Sequence, residues 1–576
     1  MRKVARRLNS ESLALLAILL VLLLLYNTLN LSQGRWILHP DDKNVFVFSD
    51  VLLHTGHLWY QSEYNIRFET SAFVPGLENY MEVPASEVGL RAPYSPGIFF
   101  LVCAGHLFGF KGPFVIVNLA GLMGLIFLYL TMRKLYDRDI AFLAVAFFGF
   151  SAPYVYWNNM LFTNVPALAF ALGGIFFAIS AIKEPEKPGN YLLSVAFFVV
   201  SVWIRYEFVI LALMSMLPVV WNRKKLKPRN VAYAFVLLVA LAGVVLALNY
   251  LTTGGFFGIP QKAGATATEY AVKYPTRFSG LEVLSNNAVM YVYNIAPLLT
   301  VLGCIGFLYA ARREPSIYVA FFSLLGLLVF YYYGNNRKFW GYGKEWMASS
   351  YTRYFLPLFL VLSCLAAVFL GRYPRSRKWK DWSYSVLVFV VLITHIAASL
   401  SLLGRMDFGL SYTEEYMKGR LAVEEYAASL PEGSVIVDLS DAWYEKMIVS
   451  RTVFLPARIP AEARKDKIGE ILGALMDDGV EVYILYNPER NVISLLDFEE
   501  MSGGFRLQAE SHGITFTKGG RSPEVYRLAR GDDEEAADGT GCDVDPSRCS
   551  KTNLRVLKEA SGEGSVRSGS GFDGGA

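Results

Sequence analysis

Long apolar blocks dominate the chain between residues 12 and 403, whereas residues 404–576 mix polar and apolar positions as soluble sequences do. A helix needs about 20 apolar residues to cross the roughly 30 Å hydrocarbon core of a membrane. The pattern predicts a polytopic helical bundle with about eleven crossings. The predicted spans are residues 12–32, 114–132, 140–157, 163–182, 190–204, 207–221, 230–251, 287–310, 317–333, 354–371 and 384–403.

The first apolar block follows a basic N-terminus, as in a secretory signal peptide. This block continues to about residue 31 without a small-residue cleavage site, which a signal peptide requires. We therefore interpret it as an uncleaved first membrane helix.

One further apolar block, residues 95–110, is short and begins with Ser95-Pro96-Gly97. Basic residues favour the cytoplasmic side of a membrane. Four basic clusters share that side with the N-terminus only if this block does not cross. The block is therefore predicted to lie at the outer surface or to dip in and return. The clusters are residues 133–138, 222–229, 311–313 and 372–380.

This topology places a first outer loop, residues 33–94, on the same outer side as the C-terminal part of the chain. Apolar runs predict buried strands at 434–439 and 480–486, with closing strands at 505–517 and 524–529. An amphipathic helix is predicted between the first two, at 460–476. The predicted fold class is mostly α: a membrane bundle with a C-terminal soluble α/β domain. The predicted divisions are residues 1–403, 404–530 and a disordered acidic, Gly- and Ser-rich tail, 531–576.

Composition agrees with a multi-pass cell-membrane protein, because 54% of residues are hydrophobic and only 18% are charged. Soluble proteins carry about a quarter charged residues. The net charge of +4 comes from short clusters between apolar blocks. That distribution reflects membrane topology and predicts no nucleic-acid partner.

An acid pair, Asp41-Asp42, opens the first outer loop within the motif His39-Pro40-Asp41-Asp42. Adjacent carboxylates at a membrane surface are candidates for a general base or a cation ligand. The alternative is structural, because Asp is a favoured residue at the start of a helix. A helical stretch is predicted to follow over residues 45–60.

Three further motifs lie on the predicted outer side: Arg91-Ala92-Pro93-Tyr94, the turn Phe162-Thr163-Asn164, and Arg353-Tyr354-Phe355-Leu356-Pro357. With the acid pair, their order resembles the GT-C superfamily of membrane glycosyltransferases. Within that superfamily, the sequence resembles especially the branch of protein O-mannosyltransferases and aminoarabinose transferases. It covers residues 10–220 and is weaker at Arg353. Asn164 stands where many members place a second acid, which puts a second carboxylate and its metal site in doubt.

The resemblance implies transfer of a hexosyl or pentosyl group from a polyprenyl-phosphate donor to a protein, glycan or lipid acceptor on the outer face. Its pattern gives Asp41 the role of base and leaves Asp42 to hold it or to bind a cation. Outer-side cations would steady the donor phosphate. The alternative for each of these cations is that it is an ordinary charged residue of an exposed loop. The candidate cations are Arg91, Arg353, Arg337, Lys338 and Lys344.

Aromatic residues are candidates for sugar or lipid contact, and an interfacial aromatic belt is the alternative explanation. These candidates are Tyr94, Trp346 and Tyr354. His54 and His57 are spaced by three residues and, with an acid of the pair, are candidate ligands of a divalent metal. Packing at the membrane interface is the alternative for both histidines. Arg205 and Glu207 are predicted to pair with each other.

A transporter or lipid flippase is the alternative from another functional class. Transporters usually show internal repeats and ionisable or broken helices at mid-membrane. The sequence shows no convincing repeat, and most ionisable residues fall at the ends of apolar blocks. A receptor with an outer sensor domain leaves the acid-pair loop and the many crossings unexplained.

Overall fold

A computed structural model describes residues 2–27, 40–60, 62–70, 72–74, 81–82, 90–92, 95–109, 111–216, 219–220, 222–256, 292–293, 295–311, 352–376, 381–404, 422–439, 448, 451–459, 461–487, 493–502, 505–510 and 524–529. Most of these residues are helical. The helices are α1 (Arg2–Tyr26), α2 (Pro40–Thr55), α3 (Glu63–Arg67), α4 (Pro96–His106), α5 (Gly112–Leu135), α6 (Arg138–Gly149), α7 (Ala152–Asn158), α8 (Asn164–Lys183), α9 (Pro188–Ile204), α10 (Phe208–Ser215), α11 (Pro228–Thr253), α12 (Pro297–Ala311), α13 (Leu356–Ser376), α14 (Asp381–Leu403), α15 (Arg464–Asp477) and α16 (Leu495–Met501).

The strands are short and form two sheets. They are β1 (Trp59–Tyr60), β2 (Phe73–Val74), β3 (Met81–Glu82), β4 (Leu90–Arg91), β5 (Val435–Asp438), β6 (Thr452–Phe454), β7 (Val482–Tyr486), β8 (Arg506–Ala509) and β9 (Glu524–Ala529).

Four helices in the described part of the chain are each long and apolar enough to span a membrane: α5, α8, α11 and residues Trp382–Leu403 of α14. Shorter apolar helices, α1, α9, α12 and α13, coincide with four more predicted spans. The predicted span at 317–333 lies outside the described residues. A multi-pass membrane protein is therefore confirmed, whereas the number of crossings stays a prediction.

Helices α11 and α14 carry large apolar side chains that are mostly exposed. Phe235 and Phe389 are each 64% exposed. Soluble monomers rarely expose continuous apolar surfaces of this kind. Lipid tails are the environment that such helices require.

The predicted span at 140–157 is wrong as one continuous helix. It is broken into α6 and α7, whose axes meet at 63°. Pro153, in the first turn of α7, has no N–H to donate to the carbonyl of Gly149, so the helical ladder cannot continue through this point.

The predicted surface block at 95–110 forms α4, which has only 11 residues. At 1.5 Å per residue it is about 16 Å long, roughly half of the hydrocarbon thickness. Gly97 packs directly on the chain at Trp203, where a Cβ would lie 2.6 Å from the carbonyl carbon. This length favours a helix that does not cross, and the sidedness of the chain stays a prediction.

Cysteine labelling tests that sidedness at two exposed positions, Lys225 and Glu432. In a cysteine-free background, Lys225→Cys is expected to react only after the membrane is permeabilised, because it lies in a basic cluster that is predicted to be cytoplasmic. Glu432→Cys is expected to react in intact cells. Labelling of both from the same side would contradict the predicted topology.

The C-terminal part of the chain supplies five strands of a six-stranded sheet in the order β2-β6-β5-β7-β9-β8. Strands β6, β5 and β7 run parallel, and β9 and β8 continue the sheet antiparallel. Helix α15 packs its apolar face, which includes Ile468, Ile471 and Leu475, into the core of the sheet. These elements coincide with the predicted strands and helix, except that β8 ends at Ala509. The boundaries of a separate domain stay a prediction.

One edge strand of this sheet, β2, comes from the first outer loop. It pairs antiparallel with β6, so that Phe73 lies opposite Phe454. The Phe73 ring stacks on the Phe454 ring at 4.8 Å, and Leu455 N–H donates to the Ala72 carbonyl at 2.8 Å. The loop and the C-terminal segment therefore share one hydrophobic core.

The remainder of the loop differs from the predicted helix at 45–60. Helix α2 already begins at Pro40 and ends at Thr55, because Gly56 adopts a left-handed conformation with φ of 75°. Residues 59–60 instead form β1, which pairs with β4 in a three-stranded sheet of order β1-β4-β3.

Candidate functional site

The acid pair lies in the first turn of α2, with Pro40 as its first residue. Carboxylates at this end of a helix are stabilised by the helix dipole. The Asp42 side chain is completely buried. The Asp41 side chain lies outside the described atoms.

Helix α2 is held firmly against α4. The Phe48 and Phe99 rings meet edge to face at 6.2 Å, and Ser49 Oγ lies 2.8 Å from His106 Nε2. Burial lowers the pKa of the His106 imidazole below its ordinary value, and the nearby Asp50 carboxylate opposes that shift. The first outer loop thus presents the acid pair on a packed helix and not on a free segment.

A second polar group surrounds Arg353, in the turn before α13. This arginine is buried, and its guanidinium carbon lies 4.2 Å from the centre of the Phe162 ring and 5.8 Å from the Trp157 ring. Trp157 Nε1 donates to Thr352 Oγ1 at 2.8 Å. Aromatic faces stabilise a buried cation, and here they fix the position of its positive charge.

Arg205 joins the same group from the end of α9. Its Nη1 donates to Thr163 Oγ1 at 2.8 Å and to Asn164 Oδ1 at 2.9 Å, while Nη2 lies 3.1 Å from Glu207 Oε1. The predicted pair of Arg205 with Glu207 is confirmed. The outer-turn cluster, as we name it, consists of Trp157, Phe162, Thr163, Asn164, Arg205, Glu207, Thr352 and Arg353. Two guanidinium groups and one carboxylate give it an excess of one positive charge.

Asn164 connects the two arginines of the outer-turn cluster. Its Oδ1 accepts from Arg205, and its Nδ2 donates to the Arg353 carbonyl at 3.3 Å. An ionised aspartate would only accept hydrogen bonds and could not make the second contact. The asparagine that departs from the family pattern is therefore suited to its surroundings in this chain.

The other predicted phosphate and sugar contacts fall largely outside the described atoms. Arg91 lies on β4, opposite Trp59 and Met81, but its side chain is not described. The same holds for the side chain of Tyr354, which follows Arg353. Outside the described residues altogether are Tyr94, Arg337, Lys338, Lys344 and Trp346. The roles of all seven stay predictions.

Both candidate metal ligands, His54 and His57, are exposed. His54 Nδ1 lies 2.9 Å from the carbonyl oxygen of Asp50, and the His57 ring packs 5.2 Å from the Trp59 ring. Across the described residues, no three His, Cys, Asp or Glu side chains are grouped to hold a metal ion. The observed contacts of the two histidines are those of surface packing.

The chain is similar to known proteins in part of its sequence and in its fold. Residues 96–249 match the family model described as dolichyl-phosphate-mannose-protein mannosyltransferase. The structure is similar to ArnT from Cupriavidus metallidurans bound to undecaprenyl phosphate, with a TM-score of 0.53 and 13% identity over 90% of this chain and 97% of that one. No curated protein sequence matches the chain.

Two more distant structural matches have lower TM-scores. The apo oligosaccharyltransferase of Archaeoglobus fulgidus gives a TM-score of 0.48 and 12% identity over 95% of this chain and 82% of that one. Arabinofuranosyltransferase AftD from Mycobacteria gives 0.47 and 14% identity over 90% of this chain and 40% of that one.

Proposed function

We propose, from the place of this chain in the GT-C superfamily of membrane glycosyltransferases, that it transfers a sugar from a polyprenyl-phosphate donor to an acceptor. The observation that carries the proposal is the similarity of nearly the whole chain to ArnT, which was crystallised with undecaprenyl phosphate. The match of residues 96–249 to a family of dolichyl-phosphate-mannose-dependent enzymes supports the same donor chemistry.

The donor phosphate binds at the outer-turn cluster in this proposal. Arg353 and Arg205 give that cluster its excess positive charge, and charge-assisted hydrogen bonds to phosphate oxygens are among the stronger polar contacts in proteins. Arg91, Arg337, Lys338 and Lys344 are further candidates for the same phosphate. Tyr94, Trp346 and Tyr354 contact the sugar or the lipid chain.

The transfer itself is a single displacement with inversion. The Asp41 carboxylate accepts the proton of the acceptor hydroxyl as its oxygen forms a bond to the anomeric carbon. The bond from that carbon to the phosphate oxygen breaks, and its electron pair leaves with the polyprenyl phosphate. The cations stabilise the charge that develops on the phosphate, so no general acid is needed. Asp42, whose side chain is buried, holds Asp41 in place or binds a cation.

The reaction takes place on the outer face, with a cytoplasmic N-terminus and an extracytoplasmic C-terminal domain over residues 404–530. A protein, a glycan or a lipid supplies the acceptor hydroxyl. The pairing of β2 with β6 supports a common location for the loop that carries the acid pair and the C-terminal sheet.

A donor panel tests this function. Purified protein in lipid nanodiscs is incubated with radiolabelled polyprenyl-phosphate sugars and an extract of outer-face proteins, glycans and lipids. We expect one donor to yield a labelled product, together with free polyprenyl phosphate. Movement of intact donor across a vesicle membrane without a labelled product would favour a flippase instead.

Arg353→Gln is expected to raise the KM for the active donor by about tenfold to a hundredfold, since it removes a charge-assisted contact. Arg506→Gln, at an exposed arginine of β8, is the matched control and should change neither kinetic constant. An unchanged KM for Arg353→Gln would contradict our proposal that the donor phosphate binds at the outer-turn cluster.

A further inference from the structure

The break between α6 and α7 leaves backbone carbonyls inside the bundle without their usual helical donors. Pro153 has no N–H for the carbonyl of Gly149. The Ser151 N–H donates to the Phe148 carbonyl at 3.1 Å, and not to Phe147, four residues before it. Water is absent from a bilayer core, so a break there persists only if other groups satisfy the freed carbonyls.

Each of three consecutive carbonyls has a side-chain donor. Tyr26 Oη donates to the Gly149 carbonyl at 2.9 Å, and Ser151 Oγ donates to the Phe148 carbonyl at 2.7 Å. His395 Nε2 lies 2.9 Å from the Phe147 carbonyl. A carbonyl only accepts hydrogen bonds, so this nitrogen carries the proton.

The donors come from widely separated parts of the chain and are all buried. Tyr26 lies at the end of α1, and His395 lies in the middle of α14. Their rings also pack on the segments that they hold, because Tyr26 meets the Tyr154 ring at 5.7 Å and His395 meets the Phe147 ring at 5.4 Å. The two helices thus brace the break from two sides.

The direction of α7 after the break determines where its last turn lies. That turn carries Trp157, whose indole N–H donates a hydrogen bond to Thr352, next to Arg353. Asn159 Nδ2, just beyond α7, donates to the Leu25 carbonyl at 3.2 Å, adjacent to Tyr26. The C-terminal end of α7 therefore contacts both the outer-turn cluster and the end of α1 next to Tyr26.

We propose that Tyr26 and His395 are positioning residues that set the angle between α6 and α7 and thereby place the outer-turn cluster for donor phosphate. They do not touch the substrate. This inference rests on the proposed function. Loss of either hydrogen bond leaves a carbonyl unsatisfied, and α7 relaxes toward another direction.

His395→Leu and Tyr26→Phe test this role, since both remove the donor group and keep most of the side-chain volume. Each is expected to raise the donor KM, and the dissociation constant of polyprenyl phosphate alone, about fivefold to tenfold with little change in kcat. His395→Gln retains an N–H donor and is expected to restore both constants. Ser194→Ala is the control, because it removes a buried bond of 3.0 Å to the Gly174 carbonyl of the unbroken helix α8.

Hydrogen exchange of the amides over residues 150–160 provides a readout independent of catalysis. It is expected to accelerate in His395→Leu and Tyr26→Phe and to remain normal in His395→Gln and Ser194→Ala. Unchanged exchange and unchanged lipid affinity in both donor-removing variants would overturn the proposal. Failure of His395→Gln to restore a folded protein's affinity would also overturn it, because ring packing would then be the contribution of His395. If none of the polyprenyl-phosphate sugars is a substrate, hydrogen exchange and lipid binding still decide whether Tyr26 and His395 position the outer-turn cluster.

Discussion

Asp41→Asn is expected to lower kcat for sugar transfer by about a hundredfold to ten-thousandfold, the usual contribution of a general base. Asparagine has nearly the same shape but cannot accept the proton of the acceptor hydroxyl. The affinity for polyprenyl phosphate should stay nearly unchanged, because the donor phosphate binds at the outer-turn cluster in our proposal. Single-turnover rates and lipid binding, measured on the same preparation, separate the two effects.

Two acids on the same helix serve as comparisons. Asp42→Asn is expected to reduce kcat less than Asp41→Asn, since the Asp42 side chain is completely buried and is not the base in our proposal. Asp50→Asn, at a half-exposed acid near the end of α2, should have no effect on transfer. Near-normal turnover of Asp41→Asn would show that this carboxylate is not the base and that its role is to stabilise the start of α2.

Phe73→Ala is expected to lower the free energy of unfolding by about 3–5 kcal/mol, the usual cost of emptying a buried phenylalanine site. The Phe73 side chain is completely buried among rings from both the loop and the C-terminal sheet. It stacks on Phe454 at 4.8 Å and on Phe68 at 5.9 Å. Hydrogen exchange should therefore accelerate in the loop and in β6 together.

Ile66→Ala is the control for this variant, because Ile66 belongs to the same part of the loop but is 53% exposed. It should change stability and exchange little. Phe73→Leu, which leaves a smaller cavity, should give an intermediate effect and guards against complete misfolding of the alanine variant. Faster exchange confined to residues 72–74 would show that the loop and the C-terminal sheet unfold independently.

Most apolar blocks that fall on described residues coincide with apolar helices, because burial in lipid demands long apolar runs whatever their tertiary contacts. They did not predict the break in 140–157. Pro153 was visible in the sequence, but a proline also occurs in continuous kinked helices. Two of the three carbonyls at the break have donors on distant helices, Tyr26 on α1 and His395 on α14, and no local pattern reveals such partners.

The candidate site was also predicted only in part, because its contacts join residues that are far apart in the sequence. Arg353 and the pairing of Arg205 with Glu207 were recognisable as charges beside apolar blocks. Trp157 and Thr352 were missed, because each is an ordinary residue of an apolar block or turn until the fold brings them within 2.8 Å. Asn164 was noted for its departure from the family pattern, yet its double contact with both arginines depends on the arrangement of three separate turns.

The edge strand β2 can form its final contacts only after a much later part of the chain has been synthesised. Its partner β6 is synthesised near the end of the chain, so at about 5–20 residues per second the ribosome needs tens of seconds to supply it. During that time the apolar side chain of Phe73 and the unpaired edge of its strand remain without their final contacts, a state that favours aggregation or chaperone binding. The loop with the acid pair is therefore completed last, although it emerges among the first segments, and premature termination before β6 would yield an inserted bundle with an unfinished loop.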